Sequence, residues 1–171
     1  MPPHVEPNSG FPGLRLAFQA IVNVHTGQCF GHEALLRGWD GCQDQTATEL
    51  LDLCHKAGRL LDLEIAIRTK VGEMAALLPA PAHGALFLNL DARSAVHLDV
   101  LLGEVQGALQ TAFAHVVTEI AVLPAEAEAL AYPAKIMRRG GGMVAVDRFG
   151  ATPDSLTLLT GCNPDFIKID Q

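Results

Sequence analysis

The sequence predicts an α/β fold built on a mostly parallel sheet, and three observations lead there. Two opening strands are joined by a tight turn, the later strands are short and almost continuously apolar, and from residue 85 onward apolar runs alternate with helical ones. Continuous apolar strands suit a sheet covered on both faces, and β-α alternation supplies the crossover helices that cover it.

Taken in order, residues 1–13 are proline-rich and read as a flexible tail, leaving 14–171 as one domain. "LAFQAIVNV" (16 to 24) is a strand, "HTGQ" a turn with Gly27 at its tight point, and "CFGHEALLRG" (29 to 38) the returning strand. A helix over 46–57 opens with the capping-box spacing of Thr46 and Glu49 and stops at Gly58; a second, over 60–78, repeats apolar residues through Leu60, Leu63, Ile67, Val71 and Met74. Then follow a strand 85–91, a helix 94–111, a strand 115–122, a helix 124–139 kinked at Pro133 and stopped by "GGG", a strand 142–149, a short helix 153–160 and a strand 165–170.

The chain has 171 residues and 49% apolar content, enough for one sizeable core. Twelve Lys plus Arg stand against 19 Asp plus Glu, a net charge of −7, so no field exists to attract a nucleic-acid polymer, and an anionic ligand needs cations placed locally. No unbroken apolar stretch approaches a membrane span and no leader pattern opens the chain, so a cytoplasmic protein without membrane contact is expected. Cys29, Cys42, Cys54 and Cys162 form no C-x-x-C pair and read as reduced thiols.

The polar residues that fall late in each apolar strand are the chemical signal: Glu33, Asn89 with Asp91, Glu119, Asp147, Lys168 and Asp170. C-terminal strand ends form the ligand face of barrels and open parallel sheets. Carboxylates and an amide oxygen gathered there make a hard-oxygen site suited to Mg²⁺ or Mn²⁺, with Lys168 balancing charge or activating a water. Structural roles compete at each position. Asp91 could cap the next helix, Lys168 could pair with Asp165 or Asp170, and Arg37 and Trp39 could belong to a surface loop. His32, His55, His97 and His115 show no ligand spacing and read as structural.

In this order the motifs resemble the EAL domain family of cyclic di-GMP phosphodiesterases. "FQAIVNVHTGQCFGHEALLRG" is similar to the family's opening hairpin, with Gln19 in its Gln-Pro-Ile position and Glu33-Ala34-Leu35 as its signature. "FLNLDARS" resembles its Asn-x-Ser strand, "VVTEIAV" its Glu-Ile-Thr-Glu strand, "VAVDRFGATPDSL" its Asp-Asp-Phe-Gly segment and "PDFIKID" its Lys-Ile-Asp strand. The resemblance implies a TIM-like barrel with an antiparallel first strand. It also implies two divalent cations that activate water to cleave cyclic di-GMP to pGpG. Carried over by position, Glu33, Asn89, Glu119 and Asp147 would be metal ligands, Lys168 and Glu33 would be catalytic, and Gln19 and Arg37 would contact the nucleotide; Arg148 and Asp91, which stand where the chain departs from the family, are expected to face the ligand as well.

The chain departs from the family's pattern at three positions: Arg148 replaces the second aspartate, Val122 the second glutamate and Asp91 the serine. Unit charges about 4 Å apart interact by roughly 4 kcal/mol at an effective dielectric near 20, so a guanidinium facing a divalent ion should empty one metal position. Its planar fork suits a phosphate instead. A (β/α)₈ barrel typically needs about 250 residues, whereas here about six of eight strands are legible, and an unclosed edge calls for a protein partner, a homodimer or further polypeptide. The expected function is a catalytically impaired cyclic di-GMP-binding or regulatory interaction module, with no cofactor; the alternative is an active phosphodiesterase using Mg²⁺ or Mn²⁺.

Overall fold

The computed structural model describes residues 10–75, 84–121, 131–151 and 163–169, together with Leu156, Leu159 and Gly161. The expectations for Val122, Cys162, Asp170, most of the helix 153–160 and the tail through residue 9 lie outside them.

Strands β1 (Arg15–Val22) and β2 (Cys29–Gly38) form the expected antiparallel hairpin. Its turn is set by Asn23, whose Oδ1 accepts from the N–H groups of His25 and Thr26 at 2.9 and 3.2 Å, and by Gly27 at φ +68°. Helix α1 (Ala47–Lys56) carries both halves of the Thr46–Glu49 capping box, and Gly58 turns the chain at φ +68° into α2 (Leu60–Ala75). Next come β3 (Ala85–Leu90), a 3₁₀ segment Ala92–His97, α3 (Leu98–Leu101), α4 (Glu104–Ala112), β4 (His115–Ala121), α5 (Ala131–Arg139), β5 (Met143–Phe149) and β6 (Phe166–Ile169).

The six described strands form one sheet in sequence order, β2 to β6 parallel and β1 antiparallel to β2, so the fold is a curled half-barrel of the TIM-like kind with a reversed first strand. Gly31 is required where β2 meets β3, because a Cβ there would stand 2.1 Å from the Ala85 carbonyl oxygen.

Period-two alternation divides the strands between two faces. Outward residues Ala34, Leu86, Leu88 and Val116 pack on Val71, Leu109 and Phe113, while Leu90, Ile120, Val144 and Val146 pack on Leu98, Leu101, Ala134 and Met137. On the other face, Ala85, Phe87, Val117 and Ala145 cluster with Ile21, Met143 and Phe166. Phe30 and Phe87 lie 5.8 and 5.3 Å from the Phe166 ring, centroid to centroid, and the three rings cover this inner cluster.

Two expectations are corrected. The single helix over 94–111 is three pieces, because Asp91 caps a 3₁₀ turn and the chain breaks at Gly103, whose ψ of −134° no helix admits. Trp39 is not in a surface loop: it is 4% exposed, packed with Leu50, Cys54 and Leu63 and edge-on to Phe11. Phe11 is therefore anchored although it lies within residues 1–13. Pro133 lies within α5, and the residues that would show the expected kink lie outside the described ones.

Candidate functional site

The alternation that buries Phe87, Val117, Ala145 and Phe166 places Asn89, Glu119, Asp147 and Lys168 two residues further along the same strands. A charged cluster thus stands above the apolar one, at the C-terminal strand ends, and Glu33 joins it from β2. Lys168 Nζ is its hub, donating to Glu119 Oε2 at 2.8 Å and Glu33 Oε2 at 2.9 Å, with Asp147 Oδ1 at 3.7 Å. Asn89 Nδ2 donates to Glu33 Oε1 at 3.1 Å. Lys168 therefore does not pair with Asp165, whose carboxylate accepts instead from the Val144 N–H at 2.9 Å.

The two glutamates that share the ammonium differ in protonation. Burial pushes the fully enclosed Glu119 carboxyl up to about 7, reinforced by the negative charges of Glu33 and Asp147 and only partly offset by Lys168. Glu33 keeps some solvent, and although burial pushes it upward, hydrogen bonds from Lys168 and Asn89 outweigh that and hold it below the usual range. For Lys168, desolvation is overcome by its bonds to Glu119 and Glu33, and its affinity for the proton rises. The result is a cation retained at the centre of three acids.

Does this set fit a divalent ion? The donor chemistry does: Glu119 Oε1 is buried and has no hydrogen-bond partner, leaving a carboxylate oxygen free for a hard cation. The arrangement does not, because Lys168 lies between the acids, and among the described residues no three His, Cys, Asp or Glu side chains are disposed around a common ion. As folded, the ammonium of Lys168 stands among Glu33, Glu119 and Asp147.

Beside the cluster a cavity of about 590 Å³ opens, bordered by Glu33, Asn89, Asp147 and Arg148 on the sheet side and by Leu51, Asp52 and Ile67 on the helix side. Among the described residues, Arg37 and Arg148 are its cations without a carboxylate partner. Arg37 has only a 3.5 Å contact with the Leu36 carbonyl, and Arg148 has no side-chain partner among the described residues. Arg148 sits where the β5–β6 register slips, between Val146 and Phe149, with φ +52°. Gln19 is exposed, pairs opposite Glu33 across the hairpin and lies outside the cavity wall.

Asp91 also borders the cavity, with its carboxylate committed to neighbours. Its carboxylate caps the 3₁₀ turn through the Arg93 N–H at 2.9 Å and is gripped by Arg93 Nε and Nη2 at 2.9 and 2.6 Å, while Arg93 Nη1 reaches Asp52 on α1 at 2.7 Å. Its own N–H donates to Glu64 Oε1 at 3.1 Å. The other carboxylate oxygen of Glu64 binds Arg68 in an ion pair only 2–3% exposed. Sequence reasoning missed Asp52, Glu64, Arg68 and Arg93; the i,i+4 spacing of Glu64 and Arg68 is a readable helix pair, but nothing in it signals burial.

The EAL domain family model matches residues 12–171. Among solved structures, the chain is similar to Klebsiella pneumoniae BlrP1 in a calcium/cyclic di-GMP complex (26% identity, TM-score 0.72, 99% of this chain and 42% of that one). It is also similar to the FimX EAL domain from Pseudomonas aeruginosa bound to cyclic di-GMP (25%, 0.69, 92% and 66%). Vibrio cholerae LapD, as an S helix-GGDEF-EAL chain bound to cyclic di-GMP, matches in fold (16%, 0.74, 92% and 39%). The chain spans less than two thirds of each of these.

Proposed function

The chain belongs to the EAL domain family, and from that premise we propose that it is a cyclic di-GMP signalling domain that binds the dinucleotide without hydrolysing it efficiently. The observation that carries this reading is the ammonium of Lys168 held by Glu33 and Glu119 with Asp147 beside it, where the family resemblance implies metal ions. Glu33, Asn89, Glu119 and Asp147 then act as a hydrogen-bonded floor organised by Lys168. Arg37 and Arg148, both on the cavity wall and both without a carboxylate partner among the described residues, supply the positive charge that a molecule of net charge −7 lacks at long range. Gln19 contacts the ligand from the hairpin, and Asp91 serves through its loop. BlrP1 and FimX were solved with cyclic di-GMP, which supports the choice of ligand.

The reading places the domain at residues 14–171, in the cytoplasm, working through a protein partner or a second copy. Among the described residues no helix is long and apolar enough to cross a membrane. One observation favours the second reading, a metal-dependent phosphodiesterase: the unpartnered Glu119 Oε1, which a divalent cation would satisfy.

Incubation with cyclic di-GMP and Mg²⁺ or Mn²⁺ separates the two. The expected result is saturable binding that survives EDTA, with no pGpG above the rate without protein. Clear release of pGpG would establish the second reading and end the first.

A further inference from the structure

The buried ion pair of Glu64 and Arg68 has no role in the site as described, yet Glu64 borders its cavity. Both side chains are 2–3% exposed inside α2, where a pair of apolar residues of similar volume would serve packing as well or better, since desolvating two charges offsets much of their attraction. Arg68 Nη1 donates both to Glu64 Oε2 and to the Glu64 main-chain oxygen, so the guanidinium locks the carboxylate in one orientation. That orientation aims Glu64 Oε1 at the Asp91 N–H, 27 residues away, immediately after β3 ends. Asp91 is held a second time through its carboxylate by Arg93, which is itself tied to Asp52.

We propose that Glu64 is a positioning residue: by accepting the Asp91 N–H it fixes the exit of β3 and thereby keeps the Asn89 amide in hydrogen-bond contact with Glu33. Asn89 and Asp91 are separated by Leu90, whose buried side chain joins the outer core, so the three residues form a short rigid segment. Loosening its far end lets Asn89 turn away from Glu33 and disorganises the acceptor of Lys168. A charged acceptor is suited to the task because hydrogen bonds to a carboxylate are shorter and stronger than bonds to a neutral oxygen. The effect on affinity rests on the proposed dinucleotide reading; the geometric effect does not.

The test replaces the pair with apolar residues, Glu64→Leu with Arg68→Met, in the full chain. Far-ultraviolet dichroism and the thermal midpoint report folding. Asp91 amide exchange by NMR is then read against the Leu88 amide of the same strand, with the Asn89 side-chain resonances, and the cyclic di-GMP Kd is measured by calorimetry. Expected are Asp91 exchange at least ~10-fold faster relative to Leu88, shifted Asn89 side-chain signals, and a Kd raised by roughly 10-fold, the scale on which outer supporting residues act. Glu64→Gln, which keeps an acceptor oxygen, should retain the parent's Asp91 protection and a Kd within about threefold. Unchanged Asp91 and Asn89 signals in the folded double variant overturn the proposal, as does an unchanged Kd when those signals have moved. A parent that binds no cyclic di-GMP overturns the dinucleotide reading instead, and the NMR signals alone then judge the positioning role. Should the double variant not fold, the parent decides: an Asp91 amide exchanging at the unprotected rate refutes the role, and strong protection upholds it.

Discussion

Arg148 combines two properties that pull in opposite directions. Its φ of +52° places an ordinary L-residue in the left-handed region, at a cost of about 1–2 kcal/mol that glycine does not incur. Its guanidinium borders the cavity and has no partner among the described residues. Strain retained at a cavity rim is the kind a binding role explains. Arg148→Gly should therefore raise stability by about 1 kcal/mol in urea unfolding, while weakening cyclic di-GMP binding by roughly tenfold, the loss of one charge-assisted contact. A stabilised variant with unaltered affinity would show that the arginine does not touch the ligand. Glu119 offers a second residue-scale prediction. Its carboxyl, raised by burial to about 7, binds a proton more tightly when folded than when unfolded, near 4.5. The unfolded state ionises first as pH rises, so the group's contribution is fully present below about 4.5 and is lost as pH climbs to about 7. Glu119→Gln mimics the neutral acid at every pH. Its stability relative to the parent should be level near pH 4.5 and improve by at least ~1 kcal/mol by pH 7.5, with chemical unfolding as the measure. A difference that stays flat across that window would show that Lys168 keeps Glu119 ionised throughout.

At the scale of elements, what could be read from the sequence follows from how local each signal is. The hairpin was legible because Asn23 and Gly27 carry the turn chemistry themselves, and α1 because Thr46 and Glu49 cap it with their own side chains. Polar residues late in apolar strands located Glu33, Asn89, Glu119, Asp147 and Lys168 at one end of the sheet, since period two in a parallel sheet leaves little freedom in where they point. The break in the helix after β3 was hidden because apolar residues continue in rhythm past Gly103, and a single glycine inside such a pattern is often tolerated. Trp39 was misplaced because its neighbours in sequence are polar, whereas its burial comes from α1, α2 and Phe11. The Asp52–Arg93–Asp91 and Glu64–Asp91 contacts were invisible for the same reason: they join α1, α2 and the exit of β3, and only tertiary packing brings those three together; the Glu64–Arg68 pair lies within α2, where its spacing was readable and its burial was not. What remains illegible in any sequence is whether a lysine among acids occupies the place of an ion or stands beside it.

The molecule as a whole is a half-barrel, and its behaviour in solution turns on the strand at its end. Closure removes the edges of a sheet; here β1 and β6 stand at the two ends of the strand order, and among the described residues nothing pairs with the outer edge of β6. Phe166 and Lys168 face the inner cluster and the acids, which leaves Ile167 and Ile169 on the opposite face, 47% and 80% exposed. An apolar strand with a free backbone edge is a template for another strand, and among the described residues of β6 no charged side chain stands on that face to discourage pairing. Ile169→Lys adds such a charge where the side chain is most exposed and away from Lys168, so it should not alter the cavity. The parent chain should show concentration-dependent association by analytical ultracentrifugation in the micromolar range, and Ile169→Lys should shift the distribution toward monomer while leaving cyclic di-GMP affinity within about twofold. Association unchanged by the substitution would place the contact elsewhere on the surface. A parent that sediments as monomer at every concentration would mean that β6 is already covered by other parts of the polypeptide.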